Sequence, residues 1–242
     1  MSTKLVLPIL FALLFISCEV DPLEETCGKT LDVGSLSKMK APHTCKDEEH
    51  WVEAADGTIY WDENATSQDT TKPGETYLGA NVLVGTHNRD SNLNEPINSA
   101  KFELYLEKNK NGSSAEIMGN TVPADVKKYG TLAEGLYPAR VQGRRSYIER
   151  GDEDLAIIIN KGRSVPTAPG SPKTSMIGIF FHAGNYSKPS LIYTKSDRSI
   201  GAISTGCQTS GCGPESRPLH NDFMNTAGPE FEGSYYLRPN PN

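Results

Sequence analysis

Beyond its first 18 residues the chain has no apolar run long enough to cross a bilayer, no internal repeat and no excess of basic charge. With 24 Lys and Arg against 30 Asp and Glu, the formal net charge is −6 and the pI about 5.4. That balance leaves no electrostatic footprint for nucleic acid. Cysteine is scarce as well, at five residues. Cys207 and Cys212 have only His182 or His220 for company and lack the usual structural-zinc spacing, so neither a metal nor a cofactor is expected. What the chain has in quantity is Gly and Pro, 22 and 16 residues. They call for many turns and few long helices.

The first 18 residues read as a targeting segment: Lys4 is a short basic region, and Leu5 to Ile16 is apolar throughout except for Pro8. Leu14-Phe15-Ile16-Ser17-Cys18 resembles a bacterial lipobox, with Cys18 as the lipidation site. Residues 19–49 read as a polar tether. In an oxidising compartment Cys27 and Cys45 are the natural disulfide within it. The expected location is the cell envelope, as an outer-membrane lipoprotein facing the periplasm or the cell surface.

From His50 onward the texture is that of short strands. Trp51-Val52-Glu53-Ala54 and Thr58-Ile59-Tyr60-Trp61 flank Asp56-Gly57, a hairpin signal, and residues 50–95 read as a small β-rich segment. Residues 96–242 read as the main domain. Strands are expected around 101–107, 115–118, 136–141 and 155–159, and one more over the apolar run Ile177-Gly178-Ile179-Phe180-Phe181. The fold class is therefore mainly β, an antiparallel sandwich or barrel with few short helices.

Two residues carry the chemistry. His182 follows the apolar run where His182-Ala183-Gly184-Asn185 signals a turn, and Cys207 lies in the small-residue segment Ser204-Thr205-Gly206-Cys207. A Cys/His pair is the minimum apparatus for thiolate acyl transfer. The backbone N–H groups of Gly206 and Cys207 are candidates for an oxyanion, and Asn185 or Ser204 for orienting the imidazole. His220 is the competing base. Arg140, Arg144 and Arg145 follow Gly135-Leu136-Tyr137 and suit a peptide carboxylate. A Cys207–Cys212 disulfide, which would remove the nucleophile, stays open.

Together these residues resemble the YkuD-type L,D-transpeptidases. His182 is similar to that family's first histidine, Ser204-Thr205-Gly206-Cys207 to its cysteine segment, and Thr131 through Gly135-Leu136-Tyr137 to its upstream strand. Thr205 stands where the family has a second histidine, which marks a divergent branch. The resemblance implies an L,D-transpeptidase-like catalytic domain acting on peptidoglycan stem peptides, with Cys207, His182, Ser204 and Gly206 catalytic and Arg140, Arg144, Tyr137 and Asn185 at the substrate. Two alternatives remain. One is a secreted antibacterial effector with the same domain, paired with an immunity protein; the other is a non-catalytic surface lipoprotein that binds glycan or a partner.

Overall fold

The computed structural model describes residues 50–63, 73–96, 98–123, 125–143, 155–184, 204–211 and 216–241. Expectations for Cys18, Cys27, Cys45, Arg144, Arg145, Asn185 and Cys212 lie outside them. The first three strands, β1 (His50–Glu53), β2 (Ile59–Asp62) and β3 (Thr76–Gly79), form a small antiparallel sheet in the order β2-β1-β3. The hairpin signal at Asp56-Gly57 is realised: Gly57 has φ +84, and Asp56 Oδ1 accepts the Thr58 N–H at 2.9 Å.

Eight further strands close a barrel. They are β4 (Val82–His87), β5 (Ala100–Tyr105), β6 (Ala115–Asn120), β7 (Gly135–Gly143), β8 (Leu155–Ile159), β11 (Phe180–Ala183), β12 (Gln208–Ser210) and β13 (Glu232–Pro239). Their order around the barrel is β11-β12-β6-β5-β4-β13-β7-β8. A two-strand ribbon of β9 (Val165–Pro166) and β10 (Ser175–Met176) projects from the β8–β11 connection. The mainly β expectation holds, with one correction: the barrel is mixed. β11 pairs with β12 and β13 with β4 in parallel, and the remaining neighbours are antiparallel.

The barrel also begins earlier than residue 96. β4 lies between β5 and β13 and belongs to the barrel, so residues 50–95 do not separate as a unit. Alternation explains how β4 serves two cores. Leu83 points inward to Phe102, Leu104, Ile157, Phe181, Tyr235 and Leu237, whereas Val82 and Val84 point outward to Trp51, Leu78 and Tyr105. A strand buried on both faces reads as a continuous apolar run.

A single α-helix is present among the described residues, α1 (Ser216–Ala227). Its buried residues His220, Phe223, Met224 and Ala227 recur at i, i+3, i+4 and i+7, the period of one helical face. Phe223 stacks on Phe181 at 5.6 Å, so the helix stoppers the barrel end where β8 begins and β12 finishes. The opposite end, where β8 finishes and β12 begins, carries the turn before Cys207.

Candidate active site

The run Ile177-Gly178-Ile179-Phe180-Phe181 is not one strand. Gly178 has φ +66, Ile177 is 76 % exposed, and the strand β11 starts only at Phe180. The positive φ breaks the ladder, and pairing to β8 and β12 carries the strand on through Ala183. His182 therefore sits within β11, buried, rather than just past a strand end. Cys207 immediately precedes β12 and is buried too.

Register relates the two positions. Phe181 pairs with Gln208 and both point into the barrel; His182 pairs with Thr209, so these two point outward. Cys207 stands two residues before Thr209 and just ahead of β12, so the strand's alternation continued back by one residue leads to the same outward side. One strand spacing and two residues of rise put the Cα atoms of His182 and Cys207 roughly 8 Å apart, within reach of an imidazole and a thiol. The Cys207 thiol donates toward Gly178 O at 3.9 Å.

His182 has a defined tautomer. Nδ1 lies 2.6 Å from Ala183 O, and a carbonyl oxygen only accepts, so Nδ1 carries the hydrogen and Nε2 is the basic nitrogen. His220 is placed differently. Nε2 donates to Leu155 O at 2.9 Å, Nδ1 is 2.7 Å from Ser210 Oγ, and the ring packs on Phe181 at 5.4 Å, fully buried. Both its nitrogens pin α1 to β8 and β12 on the inner side of the barrel, away from the Cys207 face.

Ser204 is committed to the turn. Its hydroxyl donates to Cys207 O at 2.5 Å and accepts the Gly206 N–H at 3.0 Å. The Gly206 N–H is thus held inside the turn by Ser204 rather than pointed at an oxyanion. Gly206 has φ +132, and a Cβ there would meet Met176 Sδ at 2.6 Å, so the turn requires glycine. Tyr137 is in the barrel core, its hydroxyl donating to Ala133 O at 2.9 Å and its pKa pushed up to about 12 by burial. It packs and does not face the thiol.

Arg140 is exposed on β7. Its register partner on β8 is Ile158, whose partner on β11 is Phe180; the β11–β12 pairing begins one residue later, at Phe181 and Gln208, and Cys207 stands just ahead of it. Arg140, Ile158 and Phe180 therefore form one row on the outer face, and ideal sheet spacing continued one strand further reaches the level of Cys207, roughly 14 Å from Arg140.

Several residues that matter here were not singled out from the sequence. Gln208, adjacent to Cys207, is fully buried inside the barrel; its Nε2 donates to Thr121 O and Gly206 O, both at 3.4 Å, and its Oε1 accepts from Tyr235 Oη at 3.0 Å. Glu95, also fully buried, accepts from the Thr121 N–H at 3.0 Å and the Thr121 hydroxyl at 2.5 Å. At the same barrel mouth His87 donates through Nε2 to Glu134 at 2.9 Å, and Arg89 donates to Leu132 O and Glu134 at 3.2 Å. Burial and the Arg89 charge hold the His87 pKa below its ordinary value. A polar residue next to the cysteine in a chain of small residues was the available signal for Gln208. Among the described residues no three of His, Cys, Asp and Glu gather as a metal-ligand set. No family model, curated protein or solved structure matches the chain.

Proposed function

We propose that the chain is an exported cysteine enzyme of the L,D-transpeptidase-like type, acting by thiolate acyl transfer on the stem peptides of peptidoglycan. The observation that carries this reading is that Cys207 stands one residue ahead of β12, the parallel neighbour of the strand that holds His182, with the His182 Nδ1–H held by Ala183 O. The leader-like residues 1–18 and the lipobox-like Cys18 support placement in the cell envelope.

In the reaction, His182 Nε2 takes the Cys207 thiol proton and the thiolate attacks the carbonyl carbon of an L,D-peptide bond. The C–N bond breaks, the departing D-amino acid takes the proton from His182, and a thioester remains. An amine closes the cycle by cross-linking, or water by hydrolysis, each giving its proton back through His182 to the sulfur. The Cys207 N–H supplies charge stabilisation to the tetrahedral oxygen. Arg140, in one row with the apolar floor of Ile158 and Phe180, suits the carboxylate of a short peptide lying across the strands.

The test is incubation of the full chain in mild detergent with tetrapeptide-stem muropeptides, followed by mass spectrometry of products and protein. Release of the terminal D-amino acid is expected, with a thioester adduct on Cys207. Cys207→Ser is expected to lower turnover by at least about a thousandfold, as loss of an activated nucleophile does. Turnover retained in Cys207→Ser, or an intact stem with the wild-type chain, overturns the reading.

A further inference from the structure

Besides His220 and Ser210 under α1, the barrel interior holds a polar seam that ends at the turn before Cys207. Tyr235, fully buried on β13, donates to Gln208 Oε1 at 3.0 Å. Gln208 Nε2 divides its two hydrogens between Thr121 O and Gly206 O. Thr121 in turn gives both its N–H and its hydroxyl to Glu95. The seam is built for: Gly85 on β4 leaves room for the Tyr235 hydroxyl, which would lie 2.4 Å from a Cβ there.

An amide fully buried among Leu, Phe and Ile costs free energy unless every polar atom is satisfied, and a leucine would fill the volume without that cost. Gln208 meets the requirement by fixing two backbone carbonyls that belong to different segments. One is at the end of β6, and the other is Gly206 O, one peptide away from the nucleophile. The Ser204 hydroxyl already closes this turn from outside through Cys207 O and the Gly206 N–H. Gln208 fixes Gly206 O from inside the barrel, so each of the three successive peptides from Thr205 to Gln208 has one group held by a side chain.

We infer that Gln208 is the positioning residue for Cys207: its buried amide, anchored by Tyr235 and by Thr121 on Glu95, holds the Gly206 carbonyl and so sets the direction in which the Cys207 sulfur and N–H face His182. The inference rests on the acyl-transfer reading of this site.

The experiment follows iodoacetamide labelling of Cys207 in the full chain across a pH series, with the labelled peptide identified by mass spectrometry and folding checked by circular dichroism. Wild type is compared with Gln208→Met, Tyr235→Phe and His182→Ala. Gln208→Met is expected to slow labelling near neutral pH about tenfold and to move the midpoint of the profile toward that of the thiol in the urea-unfolded chain. Tyr235→Phe, which deletes one oxygen and keeps the ring, is expected to do the same about threefold, and it decides the matter where Gln208→Met does not fold. A folded variant of either kind with the wild-type profile overturns the inference, because general destabilisation does not move a thiol titration in molecules that remain folded. If His182→Ala alone leaves the profile unchanged, the acyl-transfer reading fails while the positioning role stands. A wild-type profile identical to that of the unfolded chain overturns both.

Discussion

At the scale of single residues, the two histidines nearest the cysteine differ by which side of a sheet they occupy. His182 and Phe181 are neighbours on β11, and the pleat sends one outward to the Cys207 face and the other into the core. His220 approaches from inside, where its Nε2–H and Nδ1 tie α1 to Leu155 and Ser210. Replacing His220 by Ala leaves the part-buried Leu155 carbonyl and the buried Ser210 hydroxyl without that partner. A loss of about 3 kcal/mol of stability in urea denaturation is expected. The pH profile of Cys207 labelling in the folded fraction is expected to stay as in wild type. A changed profile with unchanged stability would return His220 to the role of base. The sequence could name both histidines as candidates, yet not choose by geometry, because the choice depends on strand register and on a helix whose buried stripe is short and begins with His220 itself.

At the scale of elements, the turn over 204–207 is the piece whose sequence says most. Small residues, a glycine and a cysteine were legible as a tight turn leading into a strand, and the turn has that form, with Cys207 buried in it. The strand expected over Ile177 to Phe181 was legible in composition but not in extent. Gly178 adopts φ +66, and the pairing that prolongs β11 past His182 comes from β12, some 25 residues later. β13 was missed for the same reason. Its partners are β4 and β7, and the β4 pairing is parallel and spans most of the described chain. Local pattern carries no signal for such a pairing. The turn itself makes a sharp test. Gly206→Ala forces a side chain onto φ +132 and against Met176 Sδ. A cost of about 2 kcal/mol is expected, together with slower Cys207 labelling, whereas Gly170→Ala, at φ +85 with open space around it, is expected to show the backbone cost alone. Equal labelling rates in the two variants would mean that the turn does not set the thiol.

At the scale of the whole molecule, the barrel's outer surface is also the floor of a second core. Val82, Val84, Tyr105, Leu136 and Tyr236 receive Trp51, Leu78, Ile59 and Trp61 from the three-stranded sheet. Trp51 meets Trp61 at 5.4 Å and Tyr105 at 5.0 Å, both edge-on. The rim is closed by charge. Arg238 pairs with Glu53, gives a hydrogen bond to Thr86 Oγ1 at 3.1 Å and another to Gly57 O at 2.7 Å, while Tyr236 donates to Glu53 at 2.5 Å. Strands of four residues with this little internal core do not hold together alone, so the sheet depends on the barrel for its stability. The chain's two tryptophans, Trp51 and Trp61, both lie in that sheet, and Cys207 lies at the barrel mouth, so two probes watch two parts of one molecule. Tryptophan emission and Cys207 labelling should therefore change at the same urea concentration. Trp51→Ala should lower both midpoints together by the equivalent of about 3–5 kcal/mol, the cost of emptying a buried aromatic site. A tryptophan transition that precedes thiol exposure would instead mean that residues 50–79 detach first, and that the barrel stands without them.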